Sequence, residues 1–124
     1  MQTILLIEDT SDILGNLTEY LEMEGYKVIV ATNGKRGVEI AAESLPDIIV
    51  CDVLMPEMDG YGVLQVLKQC PKTSEIPFIF STSLSEKIDI SDAYKLGADD
   101  YLVKPFDPIT LLEKVRTQLN KVSK

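Results

Sequence analysis

Short apolar runs and apolar stripes at helical spacing alternate along the whole chain. Thr3–Ile7 (TILLI), Lys27–Ala31 (KVIVA), Ile48–Cys51 (IIVC), Phe78–Ser81 (FIFS) and Tyr101–Val103 (YLV) are short and rich in branched and aromatic residues, the signature of buried strands. Between them, apolar residues recur at three and four. Ile13, Leu17, Tyr20 and Leu21 mark a first helix, Val38, Ala41, Ala42 and Leu45 a second, and Val63, Leu64 and Leu67 a third. Ile88, Ala93 and Leu96 mark a fourth, although Ile88 to Ile90 also alternate like a short strand; Leu112, Val115, Leu119 and Val122 mark the fifth. The punctuation agrees with this division. Thr10 or Ser11 can cap the first helix and Gly25 can stop it. Thr32-Asn33-Gly34 reads as a turn, Pro46-Asp47 opens the third strand, Gly97 ends the fourth helix, and Pro108 suits the first turn of the last.

A strand–helix pair repeated five times predicts an α/β fold, with a parallel sheet covered by helices on both faces. With 124 residues the chain is one domain, 1–124, and too short for an eight-fold barrel. Five strands point to the doubly wound, flavodoxin-like order 2-1-3-4-5, a three-layer α/β/α arrangement. Its switch point lies between the first and third strands, and ligands bind at the carboxyl edge there.

Composition narrows the function. Twelve basic residues against twenty acidic ones give a formal charge of −8, which disfavours nucleic-acid binding. There is no histidine, which excludes a Ser-His-Asp triad, a His-ligated zinc site and an autophosphorylating histidine. No apolar run approaches a membrane span, and MQTILLIEDT lacks the features of a signal peptide. Cys51 and Cys70 have no metal-ligand spacing; free thiols without a targeting segment point to the cytoplasm.

The candidate chemistry gathers at the strand ends. The apolar run Ile48–Cys51 leads straight into Asp52, and Met55-Pro56 stops regular pairing soon after. The first strand ends in Glu8-Asp9, the fourth at Thr82 and the fifth at Lys104. Three carboxylates in one crevice repel one another unless a cation joins them, and an all-oxygen set suits Mg²⁺. Lysine and threonine beside such a site suit an anionic group such as a phosphoryl. Yet the phosphate-cradling patterns GxxxxGK[ST] and GxGxxG are absent, and EDTSD would repel a held nucleotide or flavin phosphate. Transfer of the phosphoryl group onto Asp52 itself, as an aspartyl-phosphate, accounts for the set.

Four segments, LLIEDT (5–10), DVLMPEMDG (52–60), FIFSTS (78–83) and DYLVKPF (100–106), make the chain resemble the receiver domain of two-component response regulators, including the chemotaxis type, along essentially its whole length. The resemblance implies that Asp52 accepts phosphate from the phosphohistidine of a histidine kinase or phosphotransfer protein. It implies that Glu8, Asp9, Asp52 and the backbone carbonyl of Leu54 hold Mg²⁺. Thr82 and Lys104 would contact the phosphoryl group, Tyr101 would be the switch aromatic, and the Lys104-Pro105 bond would be cis. Phosphorylation would then control binding to a downstream target or output domain, or dimerisation, through the face of the fourth helix, fifth strand and fifth helix. No direct contact with nucleic acid or membrane is implied. Such a domain catalyses only its own phosphorylation and slow dephosphorylation. Three positions depart from the pattern: Leu54 and Leu84 are apolar where members are often polar, and Ser81 is polar where an apolar residue is usual. Two rivals share the fold or the chemistry. One is an interaction module that is never phosphorylated; the other is a phosphatase of the haloacid-dehalogenase type, which needs an acid where Leu54 stands. The last helix is expected to run to the end of these 124 residues, with no output domain among them, as in a stand-alone regulator or a receiver cut from a longer protein.

Overall fold

The computed structural model describes residues 1–55, 57–83 and 94–122 and, at 11–13, 83 and 122, the backbone only. Five strands, β1 (Thr3–Ile7), β2 (Lys27–Ala31), β3 (Ile48–Asp52), β4 (Phe78–Ser83) and β5 (Asp100–Lys104), alternate with helices. The helices among the described residues are α1 (Ser11–Met23), α2 (Gly34–Ser44), α3 (Gly60–Gln69) and α4 (Pro108–Val122). α4 is therefore the fifth helix of the sequence pattern. The helix expected around Ile88 and Ala93 lies outside the described residues, as does Leu84. Its expected stop is described: Gly97, at φ 110°, donates its N–H to the Tyr94 carbonyl.

All strand pairs are parallel, in the order β2-β1-β3-β4-β5. Period-two alternation divides the core into two layers. Leu5, Ile7, Ile49, Cys51, Phe78 and Phe80 face α2 and α3 in one cluster. Ile4, Leu6, Ile48, Val50, Ile79 and Leu102 face α1 and α4 in the other. Strands covered on both sides carry unbroken apolar runs, and β3 is buried along its whole length. Full burial of each large aliphatic side chain, such as Leu111, Leu112 and Leu119 of α4, contributes about 1.5–3 kcal/mol.

Two helix readings need correction. The buried face of α2 is Gly34, Gly37, Ile40 and Ala41, while Ala42 is exposed and Leu45, at φ 47°, is half exposed beyond the helix end. The seam of α2 is made of small residues because the helix lies close against its neighbours, and glycine carries no signal on a hydrophobicity pattern. Thr10 occupies the N-cap position of α1 without a side-chain hydrogen bond to the helix. The other caps follow residue chemistry: Asn33 accepts from the Arg36 N–H at 2.8 Å, and Asp59 accepts from the Gly62 N–H at 2.9 Å. No helix among the described residues is long and apolar enough to cross a membrane.

Candidate functional site

Sheet register builds the site. Ile7 pairs with Cys51, so Glu8 and Asp52 come level at the ends of neighbouring strands. Asp52 pairs with Ser81, and Ser83 with Lys104, which brings the last residues of β4 and β5 to the same edge. By strand alternation Glu8, Asp52 and Lys104 fall on the face of α1 and α4. Thr82 continues the row of Phe78 and Phe80 on the opposite face, where Tyr101 also packs.

The side chains converge. Lys104 Nζ donates to Glu8 Oε1 at 2.7 Å and lies 3.2 Å from Asp52 Oδ1. One carboxylate oxygen from each of Glu8, Asp9 and Asp52 lies within 4.8 Å of the others. Glu8, Asp52 and Thr82 are buried, whereas Asp9 is exposed at the mouth. Asp52 Oδ1 also accepts its neighbour's N–H, from Val53, at 3.1 Å. Burial, then the hydrogen bond and negative charge of Glu8, push the Asp52 carboxyl up to about 8, with Lys104 offsetting part of the rise. Burial lowers Lys104, but the Glu8 hydrogen bond and both carboxylate charges outweigh it and hold the ammonium above its usual range.

One ammonium facing three carboxylates leaves negative charge in excess. Glu8 Oε2 is buried and has no hydrogen-bond partner among the described residues, a costly arrangement for a carboxylate oxygen. An all-oxygen donor set with an unsatisfied buried oxygen fits a hard dication such as Mg²⁺. The segment after Asp52 is closed by the Gly60 N–H, which donates to the Val53 carbonyl at 2.7 Å. A β-carbon on Gly60 would lie 2.5 Å from the Asp52 carbonyl oxygen, so only glycine lets α3 begin here. Leu54 is 58% exposed beside this opening. Asp59, a second acid in the segment, is engaged as the cap of α3.

Farther along the edge, Tyr101 is half-buried, edge-on to Tyr94 with ring centres 6.3 Å apart. Lys114 Nζ stands 5.8 Å from the Tyr101 ring centre and donates to both Asp100 oxygens at 3.1 Å. The Lys104–Pro105 peptide is cis. One residue noted in the sequence only as a departure also belongs here: Ser81 is buried and, with Leu6, Leu14 and Phe106, walls a cleft beneath Glu8 and Lys104. Only its polarity in an apolar strand set it apart.

Fold and site together define a doubly wound, flavodoxin-like α/β protein with a carboxylate–lysine crevice at its switch point. The chain belongs to the response regulator receiver domain family, which matches residues 4–116. It is 40% identical over 123 residues to the probable transcriptional regulator ycf27 of Porphyra purpurea, covering 99% of this chain and 49% of that one. It is 36% identical over 124 residues to the response regulator SaeR of Staphylococcus aureus, covering 100% of this chain and 53% of the relative. The chain thus spans about half the length of these curated relatives. Among solved structures, the signal receiver domain of a signal transduction histidine kinase from Syntrophus aciditrophicus matches with a TM-score of 0.90 and 36% identity, over 100% of this chain and 94% of that one. The chemotaxis protein CheY4 of Vibrio cholerae matches with a TM-score of 0.85 and 27% identity, over 94% and 98%.

Proposed function

We propose that residues 1–124 form a single receiver domain in which Asp52 is the phosphoacceptor of a two-component system. The observation that carries this reading is the buried Asp52 carboxylate, level with Glu8 and 3.2 Å from the Lys104 ammonium, at the switch point of the sheet. The donor is the phosphohistidine of a histidine kinase or phosphotransfer protein. An Asp52 oxygen attacks phosphorus, the bond from phosphorus to the donor nitrogen breaks, and the leaving nitrogen keeps the bonding electron pair. Lys104 lies where negative charge develops on the transferring group, and Thr82 supplies a hydroxyl at the next strand end. Glu8, Asp9, Asp52 and the Leu54 carbonyl are the residues that would hold Mg²⁺. When bound, the dication keeps Asp52 ionised and neutralises charge on the phosphoryl oxygens.

The product is a signal rather than a released compound, so the domain acts in the cytoplasm as a switch and not as an enzyme with turnover. The aspartyl-phosphate adds acceptor oxygens beside Thr82, and movement of Thr82 towards them makes room for Tyr101 to turn inward. Readout then falls on a target, an output domain or a second copy through the surface around β5 and α4, with no direct contact to nucleic acid or membrane. The beryllofluoride–Mg²⁺ complex, a phosphoryl mimic, is expected to shift amide signals at Thr82, Tyr101 and Lys104 and along α4. Shifts confined to the neighbourhood of Asp52, with Tyr101→Ala leaving partner binding intact, would remove the switch from the account.

The reading is tested by incubating the protein with acetyl phosphate and Mg²⁺ and measuring intact mass. One phosphoryl group is expected, labile to hydroxylamine as an acyl phosphate must be, and Asp9→Ala is expected to stay unmodified while remaining folded. Equal modification of the parent with and without Mg²⁺ would defeat the proposed chemistry.

A further inference from the structure

Helix α2 supplies no side chain to the acidic crevice, yet its first residue meets the segment that leaves Asp52. A β-carbon on Gly34 would lie 2.1 Å from the Met58 carbonyl oxygen and 2.9 Å from Val63 Cγ2. Three residues on, along the same buried face, a β-carbon on Gly37 would lie 2.5 Å from Ile7 Cδ1. The two contacts differ in kind. The Gly37 contacts, with Ile7 Cδ1 at 2.5 Å, Cγ1 at 2.9 Å and Cγ2 at 3.2 Å, are all with a side chain. The Met58 oxygen is backbone, beside Asp59, which is held as the cap of α3, and two residues before Gly60, whose N–H donates to the Val53 carbonyl at 2.7 Å. Nor can α2 recoil cheaply. Asn33 caps it, and Ile40 and Ala41 seat it in the core.

We propose that Gly34 is a positioning residue for the acidic site. Its lack of a side chain lets α2 hold the Met58 carbonyl, and through it the segment between Val53 and Gly60, where the Leu54 carbonyl can serve the cation. The inference rests on the reading of Asp52 as a Mg²⁺-dependent phosphoacceptor. A methyl group at position 34 has to displace the Met58 oxygen by roughly 1 Å, and a misplacement of that size costs up to ~100-fold in a positioned reaction.

The experiment compares Gly34→Ala with Gly37→Ala in two readouts: Mg²⁺ affinity by amide-shift titration, and phosphorylation rate with acetyl phosphate. Gly34→Ala is expected to bind Mg²⁺ several-fold more weakly and to be phosphorylated about 10- to 100-fold more slowly. Gly37→Ala is expected to melt at a lower temperature with both readouts unchanged. Adding Val63→Ala to Gly34→Ala relieves only the side-chain contact and is expected to restore neither. Equal losses in the two alanine variants, or none in Gly34→Ala, would overturn the proposal, as would rescue by Val63→Ala. The unmodified protein gives a test that does not depend on a variant folding. During Mg²⁺ titration the Gly34 amide is expected to move with the same midpoint as that of Leu54 while Gly37 stays still. An unmoved Gly34 would overturn the inference. Absence of Mg²⁺ binding and phosphorylation in the unmodified protein would instead defeat the underlying reading of Asp52.

Discussion

A protein carrying Asp52→Asn is expected to take up no phosphoryl group and, without Mg²⁺, to be more stable than the parent at neutral pH. Loss of uptake follows from loss of the proposed nucleophile. The gain in stability follows from linkage. The Asp52 carboxyl sits at about 8 in the folded protein, against an ordinary value near 3.9 in an unfolded chain. Between these values the folded state holds the extra proton, so stability falls as pH rises from about 4 to about 8. Asparagine does not titrate and escapes that loss. The advantage of Asp52→Asn over the parent is expected to be small at pH 4 and to grow as pH rises towards 8. Saturating Mg²⁺ is expected to narrow it, since a cation among the carboxylates favours the ionised form. Urea unfolding at several pH values checks this; an advantage that is constant with pH would mean Asp52 titrates normally.

Replacing Lys104 by alanine is expected to produce two effects of opposite sign. The ammonium contacts both Glu8 and Asp52, and in the proposed chemistry it would stand where negative charge develops during transfer. Its removal is expected to slow phosphorylation by ~100- to 1,000-fold, the scale seen when one preorganised donor is removed from a reacting oxyanion. The same ammonium competes with a dication for the same carboxylates, so Mg²⁺ is expected to bind Lys104→Ala more tightly than the parent. A stopped assay with acetyl phosphate and an amide-shift titration read the two effects separately. Weaker Mg²⁺ binding alongside slower phosphorylation would show that Lys104 organises the carboxylates rather than opposing their charge.

Much of this architecture was legible because it depends on short-range patterns. Strand runs, three-and-four stripes and the turn residues Gly25, Asn33 and Gly97 indicated each described element, and the alternation of types dictated a doubly wound sheet with the order found. The carboxylates and Lys104 were legible because each ends a strand, and parallel register brings strand ends to one edge. What stayed hidden depends on close approach between elements distant in sequence. Gly34 and Gly37 carry no hydrophobic signal, so the stripe read from the sequence holds the buried Ala41 and the half-buried Val38 but puts the exposed Ala42 and Leu45 where the glycines belong. The contact between Gly34 and the Met58 carbonyl joins a helix start to a loop that local periodicity cannot connect. The place of Ser81 in the wall beneath Glu8 needed the neighbouring strands and α1 in position.

The Asp52 carboxylate is the proposed acceptor of the phosphoryl group. Borohydride reduction tests it most directly, because it converts an acyl phosphate to the alcohol and marks the modified residue. The protein is incubated with acetyl phosphate and Mg²⁺, reduced, digested and sequenced by mass spectrometry. Homoserine at position 52 and at no other acidic residue is the expected result. Homoserine at Asp9 or Asp59 with Asp52 intact would contradict the account.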